Sequence, residues 1–205
     1  MRTLLRTRVR TMTADDIAQI MDIERESFPS MWPQTAYKRE LQNRAARYFV
    51  ITEERDEPPD GAEPAGLWGN LRRIVRADGS RGHEYVLGFV GAWLLIGEAH
   101  IVTIAVRESH RRMGLGERLL LACMELATDY DMECVTLEVR KSNESAQTLY
   151  SKYRFDRVGL RVRYYTDNNE DAVIMTTPDL QSRSYRALVA DLKAEHQRRN
   201  PDLWN

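Results

Sequence analysis

The clearest pattern in the chain is a change of hydrophobic period between His100 and Tyr130. Ile101 to Val106 is a short apolar run rich in β-branched residues, which predicts a buried strand. After a charged turn with Gly114 and Gly116, apolar residues recur at helical spacing. They are Leu115, Leu119, Ala122, Cys123, Leu126, Ala127 and Tyr130. This spacing places them on one side of a helix, so the stretch predicts a strand, a basic glycine-containing turn and a helix.

The rest of the chain shows shorter versions of the same two patterns. Apolar runs and alternations predict strands at Leu4 to Val9, Tyr48 to Thr52, Tyr85 to Ile96, Cys134 to Arg140, Asp156 to Tyr165 and Ala172 to Thr176. Helices are predicted after Thr13, over Gln34 to Asn43, after Ser142 or Asn143, and over Ser184 to Gln197. This alternation predicts one α/β domain over residues 1–178 and a helical extension, 179–205, packed on it.

Residues 53–84 follow neither pattern. Glu53 to Pro64 is acidic and contains three prolines, whereas Arg72 to Arg81 is basic. A loop of this length inside a compact domain is usually functional or disordered. We therefore expect a disordered or loosely packed insertion here, with a partner-docking surface as the alternative.

The composition of this 205-residue chain is that of an ordinary soluble protein, with 42% hydrophobic and 30% charged residues. A formal net charge of −1 gives no global electrostatic case for nucleic-acid binding. No run of 18 apolar residues and no secretory h-region occurs, so neither a membrane span nor a signal peptide is expected. Cys123 and Cys134 are expected to be buried, reduced thiols of a cytoplasmic protein. The four histidines lack ligand spacing, so no metal site is expected.

The basic turn before the central helix is a candidate anion site. A helix start exposes unpaired N–H groups and the positive end of the helix dipole, and glycines there allow close approach by a phosphate or pyrophosphate. A Walker loop is excluded because no Gly-Lys-Ser/Thr occurs. A Rossmann turn is disfavoured, because Leu119 holds the third glycine position and seven residues separate Val106 from Gly114. A pyrophosphate loop of the Q/R-x-x-G-x-G/A type fits Arg111 to Gly116, and a solvated helix cap is the non-functional alternative.

Five blocks of sequence resemble the GNAT superfamily and, within it, the ribosomal-protein-alanine N-acetyltransferase (RimI-like) family. The blocks are Ile23 to Trp32, Glu98 to Val106, Arg111 to Leu120, Val135 to Tyr150 and Tyr164 to Met175. The resemblance extends from Val9 to about Thr176, and archaeal and eukaryotic N-terminal acetyltransferases share much of it. It implies the GNAT fold, a mixed and mostly antiparallel sheet flanked by helices and splayed between its central strands.

The chain departs from the family in two places. Tyr153-Arg154 replaces a Leu-Gly pair whose glycine would end the preceding helix in a left-handed conformation. Arg154 in that conformation would cost on the order of 1 kcal/mol, which leaves a different local geometry open. The insertion at 53–84 replaces a short hairpin and bears on partner identity more than on activity.

The resemblance implies that acetyl-CoA binds in the gap between the two splayed strands, with no metal required. Its pantetheine would pair with the backbone of Ile104, Ala105 and Val106, and Asn143 would hydrogen-bond it or simply cap a helix. Its pyrophosphate would rest on the main chain of the turn and the helix start. Those residues are Arg112, Met113, Gly114, Leu115, Gly116 and Glu117.

The resemblance also implies the chemistry, direct attack of an α-amine on the thioester in a ternary complex. Glu138 matches the general base and Tyr150 the general acid, while a salt-bridged carboxylate and a core tyrosine are the structural alternatives. Trp32, Tyr164 and Tyr165 would line the acceptor lip. An α-amine with a pKa of about 8 needs only a modest base, whereas lysine at about 10.4 needs far more.

We therefore expect a protein N-terminal acetyltransferase, for which the eighteenth small-subunit ribosomal protein is one family substrate. Neither nucleic acid nor a membrane is an expected partner, and 53–84 is the candidate docking segment. The alternatives are a GNAT enzyme for a small amine or a lysine side chain, and a non-catalytic acetyl-CoA-binding module.

Overall fold

The computed structural model describes residues 7–28, 36–55 and 83–204, so Trp32 and most of the 53–84 insertion lie outside the described residues. The strands are β1 (Thr7–Thr11), β2 (Ala46–Arg55), β3 (His83–Leu94), β4 (Glu98–Val106), β5 (Cys134–Arg140), β6 (Asp156–Tyr165) and β7 (Glu170–Thr176). The helices are α1 (Ile17–Ser27), α2 (Tyr37–Glu40), α3 (Leu115–Asp129), α4 (Glu144–Lys152) and α5 (Arg183–Arg199).

The seven strands form a single sheet in the order β1-β2-β3-β4-β5-β7-β6. All neighbouring strands are antiparallel except β4 and β5, which run parallel. A parallel pair needs a long crossover connection, and α3 is that connection. The prediction of a mixed, mostly antiparallel sheet flanked by helices is confirmed.

The sheet opens between β4 and β5. The two strands pair only from Glu98 opposite Cys134 to Ile101 opposite Leu137. The β3–β4 register shifts at the same point, which leaves Val102 as an extra residue on β4. Such a bulge bends a strand, so the second half of β4 leaves β5 and the predicted splay is present.

The apolar side chains form one cluster on each face of the sheet. Ile20 and Ile23 of α1 pack into one cluster, and Leu119 and Met124 of α3 pack into the other. Gly91 lies where a β-carbon would be 2.1 Å from a ring carbon of Tyr48. Glycine at position 91 therefore leaves room for the Tyr48 ring against the backbone of β3.

Two elements differ from the sequence expectation. The helix predicted over Gln34 to Asn43 is reduced in the described residues to α2, which ends in tight i→i+3 turns such as Asn43 N–H to Glu40 C=O. Tyr130, placed on the apolar stripe of α3, is 46% exposed, whereas Leu120 and Leu121 outside that stripe are buried. Helix α5 packs on α3 and contributes to the same apolar cluster, so α3 buries more than the one stripe that its periodicity shows.

Helix α4 ends as a glycine-terminated helix would, although Arg154 replaces the glycine. Arg154 has φ +58°, in the left-handed region, and the Phe155 N–H donates to the Tyr150 carbonyl at 3.1 Å. The Tyr153 side chain is fully buried, and its hydroxyl donates to Glu117 Oε1 at 2.7 Å. Packing of Tyr153 thus holds the backbone in a conformation that arginine disfavours.

Candidate active site

Two connected cavities occupy the opening between β4 and β5. The inner cavity, of about 450 Å³, lies between α1, β4, β5 and the end of β6, with Glu138 and Tyr164 in its wall. The turn groove, of about 720 Å³, lies between the second half of β4, the glycine turn and α4. The two share Ile104, Asn143 and Tyr150 in their walls, so a long ligand can extend from one into the other.

Glu138 is held in the inner cavity by a histidine and an arginine side chain. Its Oε2 lies 2.9 Å from His100 Nε2, and its Oε1 lies 2.8 Å from Arg161 Nε. The hydrogen bond with His100 holds the pKa of the Glu138 carboxyl below its usual value. The same bond raises the pKa of His100. Glu138 is therefore an ionised carboxylate that favours the protonated form of its neighbour.

Tyr150 lies at the junction of the two cavities. Only 5% of the residue is exposed, and burial raises the pKa of its hydroxyl. A phenol in this environment stays protonated at neutral pH, so Tyr150 can give a proton but not take one.

Tyr164 and Tyr165 stand together at the inner cavity, with ring centroids 5.2 Å apart and an interplanar angle of 86°. The guanidinium of Arg140 lies 3.9 Å from the centroid of the Tyr165 ring. Burial raises the pKa of Tyr165 to about 12, so its hydroxyl also remains a hydrogen-bond donor. Tyr164 and Tyr165, two of the three residues predicted for the acceptor lip, thus lie together at the inner cavity, and Trp32 lies outside the described residues.

Acidic side chains line the opposite wall. Glu24 is 6% exposed and accepts a hydrogen bond from Tyr37 at 3.1 Å. Glu40 accepts from the Tyr48 hydroxyl at 3.2 Å and from Trp93 Nε1 at 2.7 Å. The inner cavity therefore combines aromatic surface with carboxylates, which suits an amine.

The glycine turn presents its main chain to the turn groove. Gly114 is the N-cap of α3 with φ +86°, and Arg112 has φ +65°. The Arg112 guanidinium donates to Ser145 Oγ at 2.9 Å across the groove.

Not all of the residues predicted to bind the coenzyme line this groove. Leu115 is 1% exposed and its side chain belongs to the core, as does much of Met113, so neither lines the groove. The groove does contain eight of the predicted residues, Ile104, Ala105, Val106, Arg112, Gly114, Gly116, Glu117 and Asn143.

The open half of β4 carries polar groups that suit a ligand with amide bonds. Among the described residues, Thr103 Oγ1 is buried without a hydrogen-bond partner, and Thr103 lines the inner cavity. The Val106 carbonyl accepts a long hydrogen bond, 3.3 Å, from Nε of the Arg111 side chain. A buried polar group such as the Thr103 hydroxyl is stabilised by a partner, and the amides of pantetheine fit that need.

Asn143 caps α4, because its side-chain oxygen accepts the Ala146 N–H at 3.1 Å. The cap is present, and the side chain also stands in the wall of both cavities. His100 and Glu40 were not identified from sequence. His100 interrupts an apolar strand, and that was the one available signal.

No group of metal-binding side chains occurs within residues 7–28, 36–55 and 83–204. In the same ranges, no helix has both the length and the apolar character of a bilayer span. Cys123 and Cys134 are free thiols, and burial raises the pKa of Cys123 to about 12.

Comparison with known proteins gives a consistent result. Residues 17–155 match the model of the acetyltransferase (GNAT) family. A Bacillus subtilis protein with the provisional name ribosomal protein bS18-alanine N-acetyltransferase is 36% identical over 168 residues, 82% of this chain and 92% of the relative. An N-alpha-acetyltransferase of Sulfurisphaera tokodaii is 33% identical over 174 residues, 83% and 92% of the two chains. The crystal structure of the Escherichia coli ribosomal-protein-S18-alanine N-acetyltransferase shares the fold, with a TM-score of 0.63 at 23% identity over 86% of this chain and 96% of that one.

Proposed function

The chain belongs to the GNAT acetyltransferase family, and we propose that it acetylates the α-amino group of a protein N-terminus, with acetyl-CoA as the donor. The observation that carries the proposal is the pair of joined cavities at the opening of the sheet. One side offers main-chain groups and a helix start to an amide chain and a diphosphate. The other side offers carboxylates and tyrosines to an amine.

When bound, acetyl-CoA supplies an acetyl group activated as a thioester. The backbone of Ile104 to Val106 would pair with its amide chain, because this half of β4 has no partner in β5. The main chain from Arg112 to Glu117 would receive the diphosphate. The Met113 and Leu115 side chains, which turn to the core, are compatible with this role, since the contacts require only N–H groups.

The Glu138–His100 pair is the proposed proton acceptor for the attacking amine. A protein α-amine has a pKa of about 8, so removing its proton at neutral pH costs only about 1 kcal/mol. The ionised Glu138 orients His100 and stabilises its charged form, so a neutral His100 beside it can take up that proton. Tyr150 is the proposed proton donor to the departing thiolate, because its hydroxyl stays protonated and lies between the two cavities.

The proposed substrate is the N-terminal alanine of ribosomal protein bS18, as the name of the Bacillus subtilis relative states for that protein. Glu24, Glu40 and Glu138 place carboxylates around the inner cavity, where they attract a positively charged peptide end. Tyr164, Tyr165 and Trp32 are proposed to hold the peptide chain. The cytoplasm, where ribosomal proteins are made, is the proposed place of action.

Peptide acetylation tests the assignment directly. The protein is incubated with acetyl-CoA and peptides that differ at the first residue, each with a free or a blocked α-amine, and products are identified by mass spectrometry. We expect acetylation of the free α-amine and none of blocked peptides. Faster acetylation of a lysine in blocked peptides, or of a small amine such as spermidine, would show that the proposed substrate class is wrong.

A further inference from the structure

The C-terminal helix α5 reaches the glycine turn, although it lies beyond the residues matched by the family model. His196 is fully buried, and its Nε2 lies 3.0 Å from the Gly114 carbonyl oxygen. Trp204 Nε1 donates to His196 Nδ1 at 2.9 Å. Because Nδ1 accepts that bond, the proton of the neutral ring sits on Nε2, which donates to Gly114. The end of α5 is thereby fixed against the start of α3.

This attachment brings Arg199 and Asn200 into the wall of the turn groove. The Arg199 side chain is 50% exposed, and its ion pairs with the described residues are long, 3.5 Å to Glu117 and 3.3 Å to Glu195. Long, half-exposed ion pairs contribute little to stability, so Arg199 can exchange them for a better partner at small cost.

Glu117 does not depend on Arg199. Its Oε1 lies 2.6 Å from Lys152 Nζ and accepts the Tyr153 hydroxyl at 2.7 Å. If Arg199 turned toward a ligand, this carboxylate would still be paired.

The turn groove would then present Arg111, Arg112 and Arg199 to that ligand, together with Glu117, whose charge is balanced by Lys152. Three guanidinium groups around a helix start favour a phosphate.

We propose that α5 completes the coenzyme site, in which Arg199 contacts a phosphate group of the coenzyme and His196 positions the Gly114 turn. This inference rests on the proposed function and extends it to a segment outside the matched family domain. In this proposal the C-terminal extension, residues 179–205, packs on the hydrophobic core and also forms part of the coenzyme site.

Arg199→Ala in the full-length protein tests the phosphate contact. Coenzyme A binding is measured by calorimetry, and kcat and KM are measured with acetyl-CoA, acetyl-dephospho-CoA and acetyl-pantetheine. We expect the Kd of coenzyme A and the KM for acetyl-CoA to rise roughly three- to tenfold with kcat retained. Turnover of acetyl-pantetheine, which has no adenosine phosphates, should not change. The dephospho substrate separates the two sources of phosphate, because an unchanged effect of the mutation assigns the contact to the diphosphate and a lost effect assigns it to the ribose phosphate.

Arg198→Ala is the matched control, since Arg198 is an exposed neighbour on the same helix that does not line the groove. It should bind coenzyme A as the unmodified protein does. Equal losses with acetyl-CoA and acetyl-pantetheine, or no loss in Arg199→Ala, would overturn this inference and leave the proposed function standing. If the unmodified protein binds no coenzyme A, the proposed function itself fails.

Discussion

Glu138 is the side chain on which the proposed chemistry most depends, and its replacement separates function from folding. In Glu138→Gln the residue keeps its shape but loses the charge that faces His100 and Arg161. We expect kcat to fall by roughly 10²-fold or more, with the KM for acetyl-CoA little changed. The pKa of His100, followed by NMR, should move down toward its ordinary value, since the bond to Glu138 is the main cause that raises it.

Glu98→Gln is the control for this experiment. Glu98 faces the other ring nitrogen of His100 at 3.3 Å but does not line the inner cavity. Its replacement should lower the pKa of His100 less and leave kcat nearly unchanged. Full activity in Glu138→Gln would contradict the proposed role of the pair.

Some residues of the candidate site could be identified from the sequence alone, and others could not. Glu138, Tyr150 and Asn143 could be named because they stand in motif positions next to predictable elements. His100 could not, because its contact with Glu138 arises from the parallel pairing of β4 with β5, which places His100 opposite Thr136. Arg199 could not, because only the packing of α5 brings it to the turn. Contacts between residues that are distant in sequence depend on register and packing, which hydrophobic period alone does not determine.

At the scale of elements, the start of α3 holds a glycine that the helix itself does not need. Gly116 has an ordinary backbone conformation, and an added β-carbon would have Val106 Cγ2 as its nearest neighbour at 3.9 Å. Alanine inside a helix is more stable than glycine by up to about 1 kcal/mol. We therefore expect Gly116→Ala to unfold at equal or higher denaturant concentration while its KM for acetyl-CoA rises.

Gly91→Ala provides the contrast, because its β-carbon would overlap the Tyr48 ring. That variant should lose stability by roughly 1–3 kcal/mol in the same denaturation measurement. If Gly116→Ala bound acetyl-CoA as tightly as the unmodified protein, the close approach of a ligand to this helix start would be refuted.

The end of α4 offers a second prediction at this scale. Arg154 occupies a left-handed conformation, φ +58°, that glycine adopts without steric cost. We expect Arg154→Gly to raise the free energy of unfolding by roughly 0.5–1 kcal/mol, measured by chemical denaturation. Thr148→Gly, within the regular part of the same helix, should lower it by roughly 0.5 kcal/mol. A destabilised Arg154→Gly would show that the arginine side chain makes a compensating contact.

At the scale of the whole molecule, the buried His196 links folding to pH. Burial lowers the pKa of His196, with the charges of Glu117, Lys152 and Arg199 nearby. The unfolded chain therefore binds a proton at this residue more readily than the folded one. The stabilisation is complete above the unfolded pKa of about 6.5 and is lost as the pH falls below it.

His196→Gln isolates this contribution, because the amide can still donate to Gly114 but does not titrate. Denaturation between pH 5 and 7.5, a range chosen around the histidine value of about 6.5, should show a shallower loss of stability for the variant. An identical dependence on pH in both proteins would mean that other groups cause the acid sensitivity.

The fold as a whole was predictable in its class and in most strand positions, and β5 has the bounds that its alternation indicated. The order of the strands and the double burial of α3 were not, since several pairings satisfy the same periodicities. Leu120 and Leu121 lie outside the predicted stripe and are nevertheless fully buried in the cluster to which α5 also contributes.

The opening between β4 and β5 should make the stability of the protein depend on its ligand. The second half of β4 does not pair with β5. A bound coenzyme would supply hydrogen bonds to this half and connect the two strands. Amide hydrogens in the second half of β4 should then exchange with deuterium more slowly once the coenzyme is added. A ligand at a hundred times its Kd adds about 2.7 kcal/mol to the folded state. A preparation saturated with the coenzyme should thus unfold at a higher temperature than the same protein without it.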